Sequence, residues 1–275
     1  MDDLSALRLQ IEWGADEALE EAPVDRLREL VRAAPPLPAP LPQRDDRETP
    51  PPLAGGGRGE GAPPAHTPPR ASTAERAFAS VAAAATLEAL RAAIAEFDGC
   101  ALRDTAGNLV FAEGDPSADL LLIGEPPGAA EDRSGTPFAG PDGAYLDRML
   151  ASIGLQRSQL MLAPLIPWRP PGDRPPNPTE LTICLPFLHR LITLVGPRRV
   201  VLLGALPARA LLPQTASRRR PRGAWIDTPI PGVPQSIPTL PTFSPAELMR
   251  SPKDRRAAWA DLRLLRRTLD ADAAT

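Results

Sequence analysis

Residues 120–140 read LLLIGEPPGAAEDRSGTPFAG, and this stretch decides the fold. The apolar run Leu120–Ile123 is short, is stopped by Gly124, and is followed at once by Glu125, Pro126, Pro127 and Gly128. It therefore reads as a buried strand ending in a rigid turn. An acidic pair, Glu131 and Asp132, and the turn Pro137, Phe138, Ala139 and Gly140 come next. A turn needs glycine and proline, but it does not need a carboxylate and an exposed phenylalanine at the same strand end.

Working outward, similar apolar segments recur at 160–166 (LMLAPLI), 198–205 (RRVVLLGA) and 236–243 (SIPTLPTF), which with 118–125 make a set of predicted strands. Helical patterns separate them. YLDRMLASIGL (145–155) puts Leu146, Met149, Leu150 and Ile153 on one stripe. The sequence NPTE starts a second helix with Asn177 as N-cap and Pro178 at the first helical position, running through Cys184 towards Val195. SPKD starts the last, with Ser251 capping, Pro252 following, and Leu262, Leu265 and Leu269 turned inward. Upstream, residues 74–97 form an alanine-rich helical stretch. Strands alternating with helices imply a parallel sheet covered on both faces, with sites gathered at the carboxyl ends of the strands. The unusual segments GEPPGAAED, PLIPWRPPGDRPPNP and FSPAELMR all lie at such ends.

The chain of 275 residues contains 37 prolines, too many for a uniformly folded α/β protein. Residues 1–33 carry apolar positions at helical spacing and form a short helical segment. Residues 34–73 are dominated by Pro, Gly and charge and read as a disordered linker, which leaves 74–275 as the folded domain. A net charge of −3 makes no global case for nucleic acid, although a local basic patch remains open. Two cysteines exclude a disulfide scaffold and a complete four-thiolate metal site. The start lacks a signal-peptide pattern and no apolar run reaches bilayer length, so a soluble, cytoplasmic monomer without membrane contact is expected.

In order and spacing, these segments resemble the family-4 branch of the uracil-DNA glycosylase superfamily. Its first motif, roughly G-E-x-P-G-x-x-E-D, is matched by Gly124, Glu125, Pro127, Gly128, Glu131 and Asp132. The following P-F-V-G-x-x-G-x-L-L-x-x-M-L is matched by Pro137, Phe138, Gly140, Gly143, Leu146, Met149 and Leu150. The block N-x-x-x-C-R-P-P-x-N-R-x-P-x-x-x-E-x-x-x-C-x-P-F-L is visible as PLIPWRPPGDRPPNPTELTICLPFL. The resemblance covers roughly residues 100–269. It implies a three-layer α/β/α fold around a central four-stranded, mainly parallel sheet, and excision of uracil or another deaminated base from DNA. Such an enzyme extrudes the base, grips it and breaks its bond to the sugar. The sugar gains oxocarbenium character while the departing base gains negative charge. By this resemblance Glu125 positions or activates water and Phe138 stacks on the flipped base. Gly124, Pro126 and Gly128 form the turn against its edge.

The chain departs from the family pattern at several positions. The asparagine expected to read the base aligns with Pro164, which has no side-chain donor or acceptor. The late motif, approximately H-P-x-x-L-L-R in relatives, is SPAELMR here, with Ser244 in the histidine's place. The chain's two histidines lie elsewhere: His66 in the linker and His189 on a helix. Relatives hold a four-iron, four-sulfur cluster on four cysteines; Cys100 and Cys184 remain, but Arg103 and Trp168 occupy the other two positions. No iron is expected. Trp168 is expected to plug the space, Arg103 to pair with an acidic neighbour, and the cysteines to be buried small hydrophobes.

Several features lean towards a DNA surface. Leu248, Met249 and Arg250 match the tail of the late motif, where apolar residues wedge into a minor groove. Arg218, Arg219, Arg220 and Arg222 form a basic loop suited to phosphates, or equally a solvated loop. Arg169 and Arg174 extend the same face. Two main readings stay open: a glycosylase with Glu125 as chief catalytic group and a diminished grip on the base, or a diverged relative that binds DNA without excision. A third, an interaction scaffold built on the proline-rich linker, rests on composition alone.

Overall fold

The computed structural model describes residues 72–213 and 222–274. The expected helical segment at 1–33, the expected linker as far as residue 71, and Arg218, Arg219 and Arg220 lie outside the described residues. Helix α1 (Thr73–Ala82) opens with a capping box: the Ser72 side chain accepts from the Glu75 amide, and the Glu75 carboxylate accepts from the Ser72 amide. The alanine-rich stretch is two helices, because Thr86 caps a second, α2 (Leu87–Glu96). The order continues α3 (Ala101–Thr105), β1 (Glu113–Gly114), β2 (Leu120–Gly124), α4 (Ala129–Ser134), α5 (Gly140–Ser152), β3 (Met161–Pro164) and α6 (Pro178–Val195). It ends β4 (Arg199–Leu203), α7 (Ala205–Leu211), β5 (Ile226–Thr228), β6 (Ile237–Thr242), α8 (Pro245–Arg250) and α9 (Arg255–Ala273).

All the predicted strands are present. They pair in parallel as β3-β2-β4-β6, and the short strands β1 and β5 add antiparallel edges to make a six-stranded sheet. Strand β6 carries Pro238 and Pro241, residues that ordinarily disqualify an interior strand. Its ladder with β5 involves 237–239 and that with β4 involves 239–242, so each proline lies where one neighbour is absent.

Alternation along β2 splits the core. Leu121 and Ile123 face a layer built from α1, α2, α6 and α7, while Leu120 and Leu122 face one built from α5, α8 and α9. The predicted stripe Leu146, Met149, Leu150 and Ile153 is buried in the second layer. These are the two outer layers of a three-layer α/β/α fold. Helix α6 starts as read, with Asn177 accepting from the Glu180 amide and Pro178 in the first turn. The last helix starts later than read: Ser251 leads into a single 3-10 turn at Pro252–Asp254, and α9 begins at Arg255. Leu262 and Leu265 are buried there, and Leu269 packs against the core.

Candidate active site

Register brings the strand ends together. Gly124 pairs with Pro164, Ile123 with Leu202, and Leu203 with Thr242, so the residues after β2, β4 and β6 leave the sheet side by side. Between β2 and β4 the chain order reverses, since β3 lies on the other side of β2. Crevices at such switch points are the usual site of open α/β sheets.

Glu125 occupies this crevice. Its carboxylate accepts from the Leu206 amide at 3.2 Å, across the β4–α7 junction. Gly204 makes room for it: a Cβ there would lie 2.1 Å from Glu125 Oε1, and the glycine's φ of +117° is closed to other residues. Burial raises the Glu125 pKa to about 7; Glu247 pushes the same way, while the Leu206 amide and the Arg209 charge oppose the shift. A carboxylate poised there suits proton transfer near neutral pH.

Phe138 is held in a conformation that phenylalanine rarely adopts, with φ at 52°. Three contacts over-determine it. The Arg157 guanidinium donates to the Phe138 carbonyl at 2.8 Å and is itself paired with Asp147 at 2.5 Å. Gly143 packs so closely that a Cβ would lie 1.6 Å from that carbonyl oxygen, and Gly124 likewise leaves space for the ring, whose Cζ would be 2.4 Å from a Cβ there. Strain of this kind concentrates at functional sites. The motif's acidic pair is structural: Glu131 accepts from the Gly128 amide at 3.1 Å, and Asp132 accepts from the amides of Gly107 and Asn108 at 2.8 and 3.1 Å.

One cavity of about 660 Å³ is lined by Glu125, Pro126, Gly128, Phe138, Pro164 and Ser244, with Arg174, Arg209 and Arg250 on its walls. Three distant segments therefore share one pocket of ligand-binding size. The profile of the Uracil DNA glycosylase superfamily matches residues 111–263. The chain belongs to the uracil-DNA glycosylase superfamily.

Named relatives agree. The chain is similar to the Type-4 uracil-DNA glycosylase of Pyrobaculum aerophilum, 33% identical over 180 residues covering 64% of this chain and 91% of that protein. The protein of the same description from Sulfurisphaera tokodaii is 30% identical over 189 residues, covering 66% and 84%. That of Thermotoga maritima is 32% identical over 153 residues, covering 55% and 77%.

The structure places the residues at which the motif resemblance implied departures. Pro164 ends β3 on the cavity wall and offers no polar side chain. Ser244 is buried, and its oxygen accepts from the Glu247 amide at 3.2 Å as the N-cap of α8. The Cys100 and Cys184 sulfurs lie 3.9 Å apart. Beside them Trp168, 2% exposed, packs edge-on against Phe187 with ring centroids 5.9 Å apart. Two thiols and an indole do not fit the ligand set of a four-iron cluster, and no group of three or more potential metal ligands exists among the described residues. Arg103, expected to pair with an acid, has no salt bridge among the described residues.

The expected DNA face needs correction. Leu248 is wholly buried on the inward face of α8, in the second core layer, so it presents no wedge; Met249 beside it is 42% exposed. Arg222 pairs with the buried Asp261 at 2.9 Å and stacks over Phe243 instead of standing free for phosphate. Arg169 is tied to Asp173 at 2.7 Å, and Arg174 lies on the cavity wall but forks onto Glu180 at 2.6 and 2.9 Å. Arg250 reaches the cavity edge. His189 lies on α6, and burial lowers its pKa. Among the described residues no helix is long and apolar enough to cross a membrane. The sequence reading missed Gly204, the Leu206 amide, Arg209, Glu247 and Arg157. The glycine after β4 was the one local signal among them.

Proposed function

We propose that this protein is a DNA glycosylase of base excision repair that hydrolyses the N-glycosidic bond of uracil or another deaminated base, acting as a monomer without a metal cluster. The observation that carries this reading is the Glu125 carboxylate, kept basic by burial at the switch point and sharing one cavity with the strained Phe138. A base extruded from DNA stacks on Phe138. The bond from C1′ to the base nitrogen breaks with both electrons leaving on the base, water adds to C1′, and Glu125 takes the water's proton. Relatives named Type-4 uracil-DNA glycosylase support the chemistry.

A second reading, DNA binding without excision, is favoured by the proline at position 164 and by the use of the Ser244 oxygen as a helix cap. Single-stranded and duplex oligonucleotides carrying uracil, hypoxanthine or xanthine separate the two. The enzyme releases at least one of these bases, and Glu125→Ala abolishes the release; binding with no release of any base establishes the second reading. Restoring donors with Pro164→Asn and Ser244→His is expected to raise uracil excision, on the order of a hundredfold for a recovered donor.

A further inference from the structure

The two groups that would neutralise a departing base are missing, yet its negative charge must still be met. Pro164 has no donor, and Ser244, whose oxygen accepts from the Glu247 amide, keeps a single neutral O–H donor that carries no charge to set against the anion. Among the described residues three arginines line the cavity: Arg174, Arg209 and Arg250. Arg174 is committed to Glu180 through paired contacts. Arg250 donates from Nε to the Ala246 carbonyl at the far end of α8. Arg209 makes no salt bridge among the described residues. It sits on α7, the helix whose Leu206 amide holds Glu125, and its charge is felt by that carboxylate.

We propose that Arg209 is the anion-binding residue of the base pocket, its guanidinium donating to a carbonyl oxygen of the departing base as the bond to C1′ breaks. The inference rests on the glycosylase reading and names its substrate class. A guanidinium recognises developing charge, whereas an asparagine amide matches a donor–acceptor pattern. The pocket therefore selects bases by how well they leave as anions more than by their edge, and an electron-withdrawing substituent on the pyrimidine accelerates excision. The charge balance is simple: the base departs with the bonding electron pair, Arg209 stays protonated, and the base is protonated later from solvent.

The test uses the full chain, Arg209→Gln and Arg209→Lys, in single-turnover excision of uracil and of the more acidic 5-fluorouracil, together with affinity for undamaged DNA across a salt series. Arg209→Gln is expected to slow uracil release about tenfold, the loss of one charged hydrogen bond from an exposed side chain. The loss for 5-fluorouracil is smaller, the lysine variant recovers part of the rate, and affinity for undamaged DNA stays within about twofold. An unchanged rate in Arg209→Gln overturns the assignment while leaving the glycosylase reading intact. Equal losses for both bases, with weaker undamaged-DNA binding and a salt slope reduced by about one, also overturn it, because they identify a phosphate contact. A wild-type chain that releases neither base removes the glycosylase reading and this assignment together.

Discussion

At the scale of single residues, holding the Glu125 carboxylate in a buried crevice costs the fold stability above neutral pH. Its folded pKa of about 7 lies above the ordinary 4.5, so the folded state favours the protonated form. The associated stability is fully present below pH 4.5 and is lost as pH rises through about 7. Glu125→Gln mimics the protonated carboxyl and is expected to raise the melting temperature at pH 8 and to leave it unchanged at pH 4, as calorimetry at the two pH values would register. The neighbours tune the same titration. Glu247→Gln removes a like charge while preserving the capping box, so it lowers the Glu125 pKa, and Arg209→Gln raises it; carbon-13 NMR of the side-chain carboxyl follows both shifts. Sequence reading reached Glu125 because a carboxylate after a strand-ending glycine is a local signal. It did not reach Gly204, Arg209 or Glu247, whose relation to Glu125 exists only once β2, β4 and β6 are in register.

At the scale of elements, two junctions carry the site. The β4–α7 junction depends on Gly204; Gly204→Ala forces a side chain into a glycine-only conformation, which costs about 1–3 kcal/mol, and pushes a methyl into the Glu125 carboxylate. Both a lower melting temperature and a loss of excision are expected. The β2–α5 connection depends on Arg157. Arg157→Met leaves the Phe138 carbonyl unheld and is expected to lower kcat/KM about tenfold to a hundredfold through a misplaced platform. Its melting temperature changes little, since the Arg157–Asp147 pair is partly exposed, and Arg157→Lys restores part of the rate. Elements with strong local signals were legible: the apolar strands, the stripe on α5, and the Asn177–Pro178 start of α6. The edge strands β1 and β5 have only 2 and 3 residues, too few to show alternation. The break between α1 and α2 was hidden because alanine favours helix on both sides of it. The left-handed Phe138 left no trace in composition, since tertiary contacts impose it.

At the scale of the whole molecule, the chain has the superfamily's α/β fold. Where the motif resemblance implies two further cysteines, this chain has Arg103 and Trp168, and Trp168 joins Phe97 and Phe187 in an aromatic cluster of the core layer that holds Cys100 and Cys184. Apolar packing thus occupies the space, and freshly purified protein is expected to lack both iron and a visible charge-transfer band. The sheet delivers Glu125, Phe138 and the α8 cap to one cavity, where the proposed chemistry rests on the Glu125 carboxylate acting as base. The pH dependence of single-turnover uracil excision by the wild-type chain and by Glu125→Gln tests it most directly. The wild-type rate is expected to rise through about pH 7, and the variant's residual rate to be low and flat. Equal excision by the two proteins, or a wild-type rate indifferent to pH between 5 and 9, would contradict it.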